Sequence, residues 1–455
     1  MRIFLFLFLG LTYLNVKAQK QDKPNIIIIL TDDMGYSDLS VNGGPYQTPN
    51  LDKLAKEGTR FTNYYVAAPI CSPSRVAMLT GMEPSKWNIY TFEQNMSGNR
   101  AADQAPYLDP VAPSMARTLK EKAGYVTGHF GKWHMGGGRD VYYAPAFSAY
   151  GFDEHSSTYE SPDPDPLLTA TDWIWSPQDS IKRWERTSYF VDKTLDFIRR
   201  HKGKPTFVNL WPDDMHTPWV PNEEKQGKKD TYNSEENFKL VLQEYDRQIG
   251  RLMQGLKKLG LANNTIVIFT SDNGPLPTFE GRRSGQKRGS KLSLYEGGTA
   301  LPFIVRWPGH VASNKVDTTS VISNLDIFPT LASITGSPMP ARFSFDGADK
   351  KGVWLNHPKQ REKTMYWDYG SHGEKSAYRY PKGRDHSPNL AMREGEWKLL
   401  MNYDGSDIEL YNIIKDPKED HDVAQENDGI VKKMKSKLLM WRDNSPKTRH
   451  ERFKN

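Results

Sequence analysis

The chain has almost no cysteine: Cys71 is the only one in 455 residues. A single thiol rules out an intramolecular disulfide framework, and it is conspicuous because the N-terminus reads as an export signal toward an oxidising compartment. Long hydrophobic runs are equally scarce. The run from Ile3 to Leu14, after Arg2 and before Val16-Lys17-Ala18, is too short to span a bilayer. Its charged start and small-residue end fit a cleavable signal peptide with cleavage near Ala18. No cysteine follows Ala18 to carry a lipid anchor, and no later stretch is long and apolar enough to insert in a membrane. An exported protein, periplasmic or secreted, is expected. A dominant Lys/Arg tract is also missing: the formal charge of +6 is spread along the chain and falls to +4 once Arg2 and Lys17 leave with the signal. Nucleic acid is therefore not an expected partner, while a mild positive bias suits an anionic substrate. Internal repeats and low-complexity tracts are absent. What is present is a 37% hydrophobic content, enough for the core of one large or two moderate domains. Twelve Trp and twenty-two Tyr would suit stacking on sugar rings, although most aromatics fill cores.

The chain is organised around Cys71-Ser72-Pro73-Ser74-Arg75. A free cysteine is more often a small buried hydrophobe than a reactive group. Here Pro73 suits the first turn of a helix that Val76-Ala77-Met78-Leu79 continues, so Cys71 is expected at a helix N-terminus with Arg75 one turn on. Cys-x-Pro-x-Arg followed by Leu79-Thr80-Gly81 resembles the signature of the type I, formylglycine-dependent sulfatases, members of the alkaline-phosphatase-like superfamily. The resemblance implies that Cys71 is converted to Cα-formylglycine by a dedicated maturation enzyme, either formylglycine-generating or radical.

Pro24-Asn25-Ile26-Ile27-Ile28-Ile29-Leu30 reads as a central parallel strand buried on both faces, and Asp32-Asp33 follow at its carboxyl end. Thr265 to Thr270 is a second such strand, leading into Ser271-Asp272-Asn273-Gly274. Capping would account for either pair alone. Both pairs beside the cysteine motif point instead to an all-oxygen pocket of the kind that suits Ca²⁺. The resemblance implies one Ca²⁺ ion held by Asp32, Asp33, Asp272 and Asn273, with the group derived from Cys71 also at the metal.

Further segments follow in the family's order along nearly the whole chain. Gly131-Lys132-Trp133-His134 lies after a predicted strand at Tyr125–Phe130, and an extended segment would send Lys132 and His134 to one side. His216-Thr217-Pro218 resembles the element that carries a second active-site histidine, and Lys291 stands four residues before Tyr295-Glu296-Gly297-Gly298, as in the family. Many members carry an arginine shortly after the paired glycines, and Thr299-Ala300-Leu301-Pro302 occupies that place here. Asp213-Asp214 reads as loop or substrate contacts rather than a metal pair. The stretch from Gly136 to about Ser180 reads as long loops that shape a substrate pocket.

The fold expected is α/β: a large mixed, mostly parallel sheet flanked by helices, with a smaller C-terminal α+β subdomain holding an antiparallel sheet. Residues 1–18 are the signal, 19–360 the catalytic domain and 361–455 the C-terminal subdomain, where His372, Arg384 and His386 are candidates for the pocket rim. The resemblance implies an exported, bacterial-type polysaccharide sulfatase. Arg75, Lys132, Lys291 and Ca²⁺ would neutralise the sulfate ester so that a hydroxyl of the hydrated aldehyde can attack sulfur. His216 or Lys291 would protonate the leaving alcohol, and His134 would act as base when the aldehyde re-forms and sulfate is expelled. The substrates implied are sulfated carbohydrates, algal oligosaccharides such as those of ulvan, or fucoidan, carrageenan or glycosaminoglycans. Two other readings stay open: a phosphomonoesterase or phosphodiesterase of the same superfamily, and a non-catalytic protein that binds sulfated glycans.

Overall fold

A computed structural model describes residues 23–92, 95–171, 173–222, 232–370 and 381–445. The expected signal segment and His372 lie outside these residues.

The large sheet has eight strands: β1 (Asn25–Thr31), β2 (Thr59–Tyr65), β3 (Val126–Gly131), β4 (Glu154–Ser157), β5 (Thr206–Trp211), β6 (Thr265–Ser271), β7 (Phe303–Arg306) and β8 (Lys315–Ser323). Their order is β4-β3-β5-β1-β6-β7-β2-β8. All neighbours pair in parallel except β7, which runs antiparallel to β6 and β2. The isoleucine run explains the centre of this sheet. Side chains alternate along a strand, so Ile26, Ile28 and Leu30 enter the core on one face and Ile27 and Ile29 the core on the other. Each is fully buried, a contribution of about 1.5–3 kcal/mol per side chain.

Helices cover both faces. They are α1 (Pro49–Lys56), α2 (Cys71–Thr80), α3 (Met96–Ala101), α4 (Met115–Ala123), α5 (Arg186–Arg200), α6 (Glu235–Lys258), α7 (Glu296–Thr299), α8 (Ile327–Thr335), α9 (Lys351–Trp354) and α10 (Asp428–Asn444). The apolar stripes of α2, α4 and α8 pack on the Ile26 face, and those of α1, α5 and α6 on the Ile27 face. Short β4 (Glu-His-Ser-Ser) is an edge strand inside the stretch expected to be loop only.

A second, antiparallel sheet contains β9 (Met365–Asp368), β10 (Leu390–Glu394), β11 (Trp397–Met401) and β12 (Glu409–Asn412), in the order β12-β11-β10-β9. Met434 and Leu438 of α10 cover one face, against Leu390, Met392, Leu399, Met401 and Leu410. The other face packs Trp367, Ala391, Leu400 and Tyr411 on Tyr65, Leu294 and Tyr295. Lys398 crosses this boundary, fully buried between Glu296 (3.0 Å) and Glu419 (2.9 Å). No described helix is long and apolar enough to cross a membrane.

Candidate active site

The site is assembled at the carboxyl ends of the central strands. Thr31 of β1 and Ser271 of β6 are register partners, so the chains leave the sheet side by side and deliver Asp32 and Asp272 together. The pairing runs on past the strands: Asp272 N donates to Thr31 O at 3.1 Å and Asp33 N to Asp272 Oδ1 at 3.2 Å. Asp33 adopts a left-handed backbone (φ +59°), which turns the chain out of the strand direction. Asn273 Nδ2 then donates to Asp33 Oδ1 at 2.7 Å.

Cys71 is the first residue of α2, as Pro73 implies, and is only 2% exposed. Its Sγ and one carboxylate oxygen each of Asp32 and Asp272 lie within 4.8 Å of one another. Burial pushes the thiol up to about 11, against the pull of Lys132 and Lys291, so an unmodified Cys71 is a protonated thiol at neutral pH. Ile70, Leu292, Phe92 and Tyr369 pack around it.

Three cations face these acids. Arg75 donates from Nε (3.0 Å) and Nη2 (2.7 Å) to Asp272 Oδ2 and from Nη1 to Lys132 O (2.8 Å). Lys132, just past β3, donates to Asp32 Oδ2 at 2.9 Å. Lys291 reaches both oxygens of Asp33, at 2.7 and 2.9 Å. Its loop is fixed through Lys291 N to Pro275 O and Leu292 N to Pro69 O, both 2.8 Å. His216 Nε2 lies 3.7 Å from Asp33 Oδ2, and its Nδ1 lies 2.6 Å from Thr217 O.

The charges shape one another. Burial alone would raise Asp32, yet Lys132, His216, Arg75 and Lys291 hold it well below the usual carboxylate range. Asp33 is held down in the same way, chiefly by Lys291. Burial and its neighbour Asp32 push Asp272 up to about 7. Burial would lower Lys132 and Lys291, but Asp32 and Asp33 respectively hold both above the ordinary lysine range.

Two oxygens in this cluster are fully buried with no hydrogen-bond partner, Asp32 Oδ1 and Asn273 Oδ1. Buried acceptors without donors are rare. Here they sit among further carboxylate oxygens, a donor set that fits a hard divalent cation. Asp32, Asp33, Asp272 and Asn273 are therefore the residues that could hold such a cation, with Cys71 adjoining them.

Lys132 and His134 do not reach the site through an extended segment. His134 takes a left-handed conformation (φ +54°), donates its backbone N–H to Glu160 O (3.0 Å) and brings Nε2 to 3.2 Å from Glu160 Oε2. Glu160 carried no motif signal, and its link to His134 is purely tertiary. Burial lowers the His134 imidazole to about 3, although Glu160 opposes the shift. A second unanticipated support is Arg283, buried against Asp38, whose Nη2 donates to Asp33 O at 2.7 Å.

One expectation needs correction. Asp213 and Asp214 are buried supports: Asp213 is paired with Arg183 and Arg186, and Asp214 Oδ2 accepts from Thr187 N and Oγ1 at the start of α5. The loop holding Arg384 and His386 packs on the loop that carries Lys291: Arg384 O accepts from Arg288 Nε at 2.6 Å, Asp385 Oδ1 from Gly289 N at 3.1 Å and Ser387 Oγ from Leu294 N at 2.9 Å. The Arg384 side chain pairs with Asp420, and His386 lines a cavity of about 690 Å³ with Asn389, Asn402, Tyr403 and Asp407.

Comparison with known proteins agrees with this architecture. The family model described as Sulfatase matches residues 24–337, and one described as N-sulphoglucosamine sulphohydrolase, C-terminal, matches 289–444. An N-acetylgalactosamine-6-O-sulfatase of Bacteroides thetaiotaomicron is 30% identical, over 94% of this chain and 96% of the relative. Human arylsulfatase A is 30% identical over 88% and 83%. The crystal structure of Ps i-CgsB with a k-i-k-neocarrahexaose superposes with a TM-score of 0.72 at 25% identity, covering 93% of this chain and 94% of that one. A glycosaminoglycan-metabolism structure from Bacteroides thetaiotaomicron gives 0.74 at 27%, covering 93% and 100%. With its paired strand tips, its cysteine at a helix start and a family match across most of its length, the chain belongs to the sulfatase family and is a sulfuric ester hydrolase.

Proposed function

We propose that the protein is an exported sulfatase that removes sulfate esters from sulfated glycans, using formylglycine made from Cys71 and one Ca²⁺ ion. The observation that carries the reading is the convergence of Cys71, Asp32 and Asp272 within 4.8 Å, beside the two unpartnered oxygens. Formylglycine supplies, as its hydrate, an oxygen nucleophile for sulfur and a route that releases sulfate without a stable adduct. Ca²⁺ would be held by Asp32, Asp33, Asp272 and Asn273 and would add positive charge where the sulfate oxygens gather.

The remaining work falls to this chain's own groups. Three buried carboxylates are matched by Arg75, Lys132 and Lys291, so a bound divalent ion leaves the pocket positive and fit for an anionic ester. Glu160 Oε2 lies 3.2 Å from His134 Nε2, and both ring nitrogens are buried without a hydrogen bond. The ring, kept neutral by burial, has one nitrogen free of a proton to act as the base. The leaving oxygen takes its proton from the pair His216 and Lys291, which share Asp33.

The relatives favour the 6-O-sulfate of N-acetylgalactosamine as the substrate group. The carrageenan-bound neighbour supports a second reading, sulfated algal oligosaccharides, ulvan-derived ones among them. The test is sulfate release from a panel of defined sulfated oligosaccharides, with the matching phosphate esters alongside and Cys71→Ala and His134→Ala as controls. Sulfate release without phosphate release supports the assignment. Preferential phosphate release, or full turnover in Cys71→Ala, overturns it.

A further inference from the structure

The long stretch after His134 ends in a feature that the core chemistry does not use. Glu160 bridges two groups: Oε2 faces His134 Nε2 at 3.2 Å, and Oε1 takes Arg139 Nη2 at 3.1 Å. The Arg139 guanidinium in turn lies beside the Trp173 indole, its central carbon 5.9 Å from the ring centroid. Trp173 is 53% exposed, whereas Trp133, Trp211 and Trp219 near the sheet are fully buried. A single exposed aromatic is ordinary, but this one is tied through two side chains to the site's histidine.

The tie is rigid. Arg139 N donates to the Tyr159 hydroxyl at 2.8 Å, and Arg139 itself adopts φ +54°. Gly137 (φ +99°) passes so close to the 159–161 segment that a Cβ there would lie 2.2 Å from the Ser161 carbonyl carbon. The segments around 134–139 and 159–161 are thus zipped together, and Arg139 stands on a fixed base with Trp173 against it. Tyr142 (88%) and Tyr143 (53%) on the same turn are also open to solvent.

We infer that Trp173, with Arg139 beside it, is a docking platform for a sugar ring of the glycan next to the one whose sulfate enters the Cys71 site. The inference rests on the sulfated-glycan reading above and adds that the enzyme grips an oligosaccharide, not only its ester group. An indole offers flat apolar area at low conformational cost, matching the C–H face of a pyranose. The Arg139 N–H groups beyond the one held by Glu160 can donate to a sulfate or carboxylate on that neighbouring residue.

The test uses the matured full-length enzyme. Trp173→Ala and Trp173→Phe are assayed on a sulfated tetrasaccharide and on 4-nitrophenyl sulfate, which has no second ring to dock. The expected result for Trp173→Ala is a drop of about tenfold in kcat/KM on the tetrasaccharide, carried by KM, with 4-nitrophenyl sulfate changed less than about twofold. Trp173→Phe retains most of the tetrasaccharide activity, and the melting temperature of both variants stays at the wild-type value. Equal losses on both substrates, or no loss on the tetrasaccharide, overturn the platform and leave the glycan assignment intact. Turnover of 4-nitrophenyl sulfate with no hydrolysis of any glycan in the panel overturns both.

Discussion

Arg75 grips Asp272 Oδ2 with Nε at 3.0 Å and Nη2 at 2.7 Å, both partners fully buried. One contact thereby clamps the helix that begins at Cys71 to the tip of β6, fixing the spacing between residue 71 and the acids. A planar fork makes this contact and a single ammonium does not. Arg75→Lys is expected to lower kcat by about 10²-fold or more by misplacing the reacting group. Arg75→Ala also strands a buried carboxylate and is expected to cost about 3–5 kcal/mol of stability. Single-turnover kinetics and denaturant unfolding check both. Wild-type kcat in Arg75→Lys would refute the clamp.

Removal of divalent ions is expected to abolish turnover and lower the melting temperature, because an ion that binds only the folded cluster of Asp32, Asp33 and Asp272 stabilises it by mass action. Ca²⁺ added back restores both. Asp32→Asn and Asp272→Asn weaken that restoration even in excess Ca²⁺. Dialysis against a chelator followed by calorimetry measures it, and full activity in the stripped protein would contradict the metal assignment.

The buried His134 imidazole, lowered to about 3, is neutral across the physiological range. The acid limb of the kcat profile above about pH 4 therefore does not come from this ring. His134→Ala is expected to lower kcat by roughly 10²–10⁴-fold with little change in KM. Glu160→Gln, which removes the partner that orients the ring, gives a smaller loss of the same kind. A kcat unaffected by His134→Ala would remove the residue from the mechanism.

Away from the site, burial would raise Glu296, yet Lys398, Lys287 and Arg393 hold it down to about 2. A folded carboxyl depressed below its unfolded value near 4.5 stabilises the protein above that value, and the benefit is lost as pH falls toward 2. Glu296→Gln, which leaves Lys398 its second partner Glu419, is expected to lose about 1–3 kcal/mol at neutral pH. The deficit should shrink as the medium is acidified from pH 5. Unfolding curves of both proteins across that range test the sign, and a deficit that grows in acid contradicts it.

Legibility followed how local each signal was. The isoleucine run of β1, the apolar β6 and the acids after them are contiguous in sequence, and so was the start of α2, set by Pro73. β2 (Thr-Arg-Phe-Thr-Asn-Tyr-Tyr) and β8 (Lys-Val-Asp-Thr-Thr-Ser-Val-Ile-Ser) escape because they are polar strands at one side of the sheet, stabilised by their partners. β4 has no apolar residue at all. Glu160 and Arg283 act across 26 and 250 residues on His134 and Asp33. No periodicity marks such contacts. Asp213-Asp214 looked functional because paired acids after a strand resemble ligands, whereas Arg183, Arg186 and Thr187 of the following segment use them to anchor a helix.

The central claim is that the side chain at position 71 carries an aldehyde beside the acidic strand tips. Its most direct test is mass spectrometry of the peptide containing Cys71, from protein co-expressed with a formylglycine-forming enzyme and assayed for sulfate release in the same preparation. The expected result is a peptide bearing formylglycine, with specific activity rising in proportion to its fraction. An unmodified thiol in fully active protein would contradict it.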